Sequence, residues 1–121
     1  MKNWIIFGAS LAALAVALGA FGAHGLKSKV SPVDLAIFET GVRYHMYHAL
    51  GLILVGILGF HYNAEVIQLP AVLLSTGILI FSGSLYILVL TGLRWMGAIT
   101  PIGGVALIAG WLLLVIRVAK A

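Results

Sequence analysis

LPAVLLSTGILIFSGSLYILVL, from Leu69 to Leu90, contains no charged residue. An α-helix rises about 1.5 Å per residue, so crossing a hydrocarbon core of about 30 Å takes roughly 20 apolar residues. This stretch has that length and reads as a transmembrane helix, which sets lipid as the solvent of the chain. The composition agrees: 63% of the 121 residues are hydrophobic and 8% are charged, and the mean hydropathy is +1.19. A soluble domain carries about a quarter charged residues, and so short a chain cannot hide this much apolar surface from water.

Three further apolar runs flank the first. They cover Trp4 to Phe21, about Met46 to Phe60, and Ala98 to Ile116. Lys2 and the alanine-rich start imitate a cleavable leader, but the run is longer than a signal core and three spans follow it, so it reads as a retained helix. Met46 to Phe60 is short for a span. It gains length from Ser31-Pro32-Val33-Asp34, where Ser31 is a good N-cap, Pro32 suits the first turn and Asp34 meets the positive end of the helix dipole. Beyond that start, Val33, Ile37, Tyr44 and His48 fall near one face, Glu39 and Arg43 stand at i,i+4, and Gly41 is a place to bend. The expected architecture is a single integral membrane domain over residues 1–121. It is a compact all-α bundle of four transmembrane helices, with an amphipathic interfacial helix before the second span.

Small residues mark the seams. Gly8, Ala12, Ala15 and Gly19 share a stripe on the first span, and Gly103, Ala106 and Gly110 share one on the fourth; such stripes let helices approach closely in lipid. Thr100 is the expected cap of the fourth helix, with Pro101 in its first turn. The seven basic residues stand singly at the ends of apolar runs, as boundary markers do, and not in a nucleic-acid patch. With four spans, Lys2, Arg117 and Lys120 share one side and Lys27, Lys29, Arg43 and Arg94 the other, a balance that does not decide orientation. The bilayer is the expected partner, nucleic acid is not, and a second copy or another membrane protein is the remaining class.

Chemistry is confined to a few residues. The chain has no cysteine, which removes disulfides, thiolate metal sites and cysteine nucleophiles. Ser82 and Ser84 lack a Gly-x-Ser-x-Gly frame, and Ile102-Gly-Gly-Val105 lacks the lysine of a phosphate loop, so no enzyme and no cofactor is expected. Arg43-Tyr-His-Met-Tyr-His48 is the most polar point of any span, with Tyr44 and His48 at i,i+4 and His45 and His48 at i,i+3. His24, in Gly-Ala-Phe-Gly-Ala-His-Gly-Leu-Lys27, ends the first span on the same side. The expected site is a polar pocket near one membrane face built from His24, Glu39, Arg43, Tyr44, His45 and His48. Its role is non-enzymatic binding or passage of a small ligand, a lipid or an ion. One alternative is a structural or assembly protein acting through helix contacts. Another is a metal or haem site on His24, His45 and His48, whose neutral imidazoles suit zinc, copper, nickel or haem iron.

Four ordered motifs carry a resemblance. Gly-Ala-Phe-Gly-Ala-His-Gly-Leu from Gly19, Tyr-His-Met-Tyr-His-Ala-Leu from Tyr44, Phe-Ser-Gly-Ser-Leu-Tyr from Phe81 and Gly-Ala-Ile-Thr-Pro-Ile-Gly-Gly from Gly97 together resemble domain-of-unknown-function family 423. Its members are small bacterial inner-membrane proteins related to eukaryotic transmembrane protein 256. The resemblance implies a multi-pass protein of the bacterial cytoplasmic membrane and brings no activity, substrate or cofactor with it.

Overall fold

The computed structural model describes residues 1–121. Four helices run up and down through the molecule: α1 (Lys2–Phe21), α2 (Pro32–Leu58), α3 (Ala64–Thr91) and α4 (Thr100–Lys120). All four are long and apolar enough to cross a membrane. A π-helical turn, Gly22–Leu26, extends α1, and a 3₁₀ turn, Arg94–Ala98, leads into α4.

The interfacial stretch and the second span form one uninterrupted helix. Ser31 caps it as expected, its hydroxyl accepting the Asp34 N–H at 3.1 Å, and Pro32 occupies the first turn where its missing N–H costs nothing. From this start α2 extends about 40 Å, so residues 46–60 are its lower half and not its whole length. Thr100 is not a cap. It is the first residue of α4 after Ile99, and its hydroxyl lies 2.5 Å from that of Ser84 on α3. Pro101 does sit in the first turn of α4. Pro70 lies inside α3, where it withholds an N–H from the turn before it.

Each helix packs on its neighbour in sequence, α1 on α2, α2 on α3 and α3 on α4, which makes the α2–α3 hairpin the centre and leaves α1 and α4 as flanks. The small-residue stripes face these seams. A Cβ on Gly8 would stand 2.8 Å from the Ala49 carbonyl oxygen of α2, and one on Gly103 would collide with the Phe81 backbone of α3. Ala15 and Gly110 are buried, and Ala12, Gly19 and Ala106 are half-buried. Both stripes therefore serve seams inside one chain. At the end that carries both termini, the Trp4 indole N–H donates to the Gln68 amide oxygen at 3.2 Å, and Arg117 donates to the Glu65 carbonyl. At the other end Arg94 grips both carboxylate oxygens of Asp34, at 2.8 and 2.7 Å.

The core is two apolar clusters. The larger, towards the termini, joins Leu11, Ala49, Leu52, Val55, Ile67, Leu74, Ile78 and Leu107. The smaller, towards the opposite face, joins Leu26, Phe38, Leu88 and Val89.

Close backbone approach at Gly103 makes a sharp prediction. Gly103→Leu should destabilise the bundle by about 1–3 kcal/mol through overpacking. Gly83→Ala, where an added Cβ meets nothing within 4 Å, should leave stability within about 1 kcal/mol of the parent. Thermal unfolding in mild detergent, followed by circular dichroism, checks both.

Candidate functional site

Between the two apolar clusters lies a polar layer. The buried polar side chains of the protein are His45, His48, Ser82 and Ser84, and α2 and α3 bring them to neighbouring levels. The Ser82 hydroxyl donates to the Gly41 carbonyl of α2 at 2.6 Å and lies beside the Tyr86 hydroxyl, one turn along α3. Tyr86 Oη in turn stands 2.8 Å from His45 Nδ1. Ser84 bonds the Phe81 carbonyl at 2.9 Å and reaches Thr100 of α4.

His48 is held differently. Its Nδ1 lies 2.7 Å from the Tyr44 carbonyl, and since a carbonyl can only accept, Nδ1 carries the proton. A neutral His48 then presents Nε2 as a lone pair. The ring sits against Trp111 of α4 at 5.8 Å and Tyr44 at 6.2 Å. Tyr44 also packs on Phe81 at 4.7 Å.

His45 is the exposed question of the layer, although its side chain is almost wholly buried. With Nδ1 engaged by Tyr86, the Leu11 backbone of α1 lies near the rest of the ring, but Nε2 closes no hydrogen bond of good geometry with it. A buried polar atom without a partner costs about 1–3 kcal/mol. His45 stands thirteen residues below Pro32, about 20 Å along α2, so this atom lies near mid-membrane.

The structure brings together only part of the site expected from sequence. Tyr44, His45 and His48 share the layer, at mid-depth and not at a face. His24 is exposed in the π-helical turn beside Lys27 and Ser28. Gly19 faces Val42 and Gly22 faces Phe38, so His24 is level with about residue 36, about 14 Å from His45 along the helix axis. Glu39 and Arg43 are exposed on the opposite side of α2, and they form no ion pair, the single salt bridge being Asp34 with Arg94. No group of three or more histidine, aspartate or glutamate side chains gathers anywhere, so His24, His45 and His48 do not converge on one ligand position.

Tyr86 and Trp111 are the members that sequence reasoning missed. Ser82 and Tyr86 stand one turn apart in an otherwise apolar helix, a signal for a polar face on α3. Trp111 carries no such mark, because α4 is apolar on all sides within its span.

Four helices long and apolar enough to cross a membrane, with His45, His48, Ser82 and Ser84 buried between them, define a polytopic α-helical membrane protein, and the cell membrane is its place. Comparison with known proteins assigns the family. A model described as "Protein of unknown function (DUF423)" matches residues 18–104. The chain is 50% identical to UPF0382 membrane protein YwdK of Bacillus subtilis over 121 residues, covering 99% of this chain and 98% of that protein. It is 52% identical to UPF0382 membrane protein SSP2132 of Staphylococcus saprophyticus over 120 residues, with 99% of each covered. UPF0382 membrane protein SH2409 of Staphylococcus haemolyticus matches at 49% over 120 residues, 99% of this chain and 98% of that one. The chain belongs to this family of uncharacterised membrane proteins. No solved structure matches it.

The hydrogen bonds rank the tyrosines. Tyr86→Phe should strip His45 of its one side-chain partner and destabilise the bundle by about 1–3 kcal/mol. Tyr44→Phe, which keeps the ring on Phe81 and His48 and removes a hydroxyl that bonds to nothing within the chain, should cost less than about 0.5 kcal/mol. Equal losses in thermal unfolding would contradict the network.

Proposed function

We propose that this membrane protein binds a small polar ligand or ion, without enzymatic turnover, in the layer around His45. The observation that carries the reading is the buried His45 Nε2, which closes no hydrogen bond of good geometry within the protein, although the Leu11 backbone lies near the ring. In a low-dielectric interior an unpaired polar atom is expensive, and an occupant that donates to it or accepts from it recovers that cost. The neighbouring His48 and Tyr86 offer further hydrogen-bonding groups, and Trp111 and Tyr44 pack against the His48 ring.

Binding is better supported than passage. Below His48 every buried residue of α2 is apolar or glycine: Ala49, Gly51, Leu52, Val55 and Gly56. Above the layer, Phe38, Leu88 and Val89 close the other end. A conducting path needs polar groups or water from face to face, and these two clusters interrupt one. Ser82 commits its proton to a carbonyl, which supports a packing role over a nucleophilic one.

Native mass spectrometry of protein released gently from its membrane tests the reading. The expected result is a stoichiometric extra mass that disappears in His45→Leu and persists in His24→Ala, because His24 lies outside the layer. A bare chain mass from folded wild-type protein, or an adduct indifferent to His45, overturns it.

A further inference from the structure

The outward face of α2 carries the second unsolved polar problem of the molecule. Glu39, Arg43, Tyr47, Leu50, Leu54 and Ile57 are all exposed and recur at intervals of three and four residues, so they form one stripe along the helix. Its upper part is charged and its lower part apolar. Those charges are at membrane depth. Val42, next to Arg43, faces Gly19 of α1, and Gly41 faces Leu85 and Tyr86 of α3. The neighbours at these levels, Val16 and Phe21 of α1 and Ile87 of α3, are exposed apolar side chains, as lipid contact requires. Arg43 lies nine residues from Asp34, about 14 Å along the axis from the layer of the Asp34–Arg94 pair. Charged side chains in a span face a partner, a bundle interior or a water-filled cavity. Within this chain Glu39 and Arg43 have none, since the only ion pair is elsewhere.

We propose that this stripe is the contact between two copies of the chain, related by a twofold axis along the membrane normal. Both charges lie in the upper half of α2 (Pro32–Leu58), so Glu39 of one copy and Arg43 of another come close to one level only when the two α2 helices run parallel. A twofold contact is self-complementary. Opposite charges one turn apart satisfy that demand reciprocally: Glu39 of each copy meets Arg43 of the other. The axial offset of four residues, about 6 Å, is within reach of an arginine and a glutamate together. Tyr47, Leu50 and Leu54 continue the contact below. This interface lies on the side of α2 opposite His45 and touches that layer only where Tyr47 packs on Tyr44, at 5.8 Å, so the charge exchange at Glu39 and Arg43 tests it without touching His45.

The absence of cysteine makes the test direct. Single-cysteine variants Leu50→Cys and Leu54→Cys, oxidised with copper phenanthroline in native membrane vesicles, should yield a species of twice the chain mass. Val105→Cys and Ile108→Cys, exposed on α4, should yield less than about a tenth as much. In the Leu50→Cys background, Glu39→Arg alone or Arg43→Glu alone should lower the linked fraction about tenfold, and the two together should restore it to within about twofold. Unfolding temperature in detergent separates loss of contact from loss of fold, and the double exchange restores only a charge-paired interface. Equal linking at the α4 positions, no dimer at either α2 position, adducts of a different mass, or a double exchange as weak as the singles each overturns the proposal.

Discussion

Lipid gives helices no reason to hide apolar side chains from it, so contact between them has to be earned by close approach and by hydrogen bonds. That constraint organises the whole molecule. Where Gly8 meets Ala49 and Gly103 meets Phe81, backbones come near enough for dispersion contact along the seam. The larger core cluster then follows, because Leu11, Leu52, Leu74 and Leu107 from four different helices can interlock only once the axes are this close.

Hydrogen bonds do what the glycines cannot, which is to choose a register. Ser82 on Gly41 and Tyr86 on His45 link α2 to α3, and a slip by one turn would leave these groups unpaired in a medium without water. Sealing the layer between two apolar clusters strengthens each bond and raises the cost of the atom left over, His45 Nε2. The same burial that makes the hairpin specific thus leaves one polar position open. Packing alone would have been served by an apolar residue there, since replacing buried polar groups by well-packed apolar ones is often neutral or stabilising.

The four crossings were legible because length and hydropathy decide them, and the small-residue stripes were legible because nothing but Gly and Ala permits such approach. Depth was not. His45 and His48 look interfacial if the second span starts at Met46, and the charges at Asp34, Glu39 and Arg43 lower the hydropathy enough to invite that reading. The Ser31 cap was the better guide to where the helix starts, and a start at Pro32 moves both histidines to its middle. The Asp34–Arg94 pair was beyond reach, because sixty residues separate its members. Tyr86 and Trp111 were hidden for a different reason: a helix apolar on every side does not announce which face turns inward.

Helix α2 concentrates these effects. Its most apolar stretch has a mean hydropathy of 1.2, against 2.1 to 2.3 for the other three helices, yet it lies at the centre of the bundle. Its inward polar groups are answered by Ser82 and Tyr86 of α3, so that side needs no further chain. Its outward charges have no answer from α1, α3 or α4, all of which present apolar surface at that depth. A helix of such marginal hydropathy is stable in a bilayer only when both polar sides are compensated. The inner side is compensated by folding except at His45 Nε2, and the outer side is the one that the proposed contact between copies would compensate.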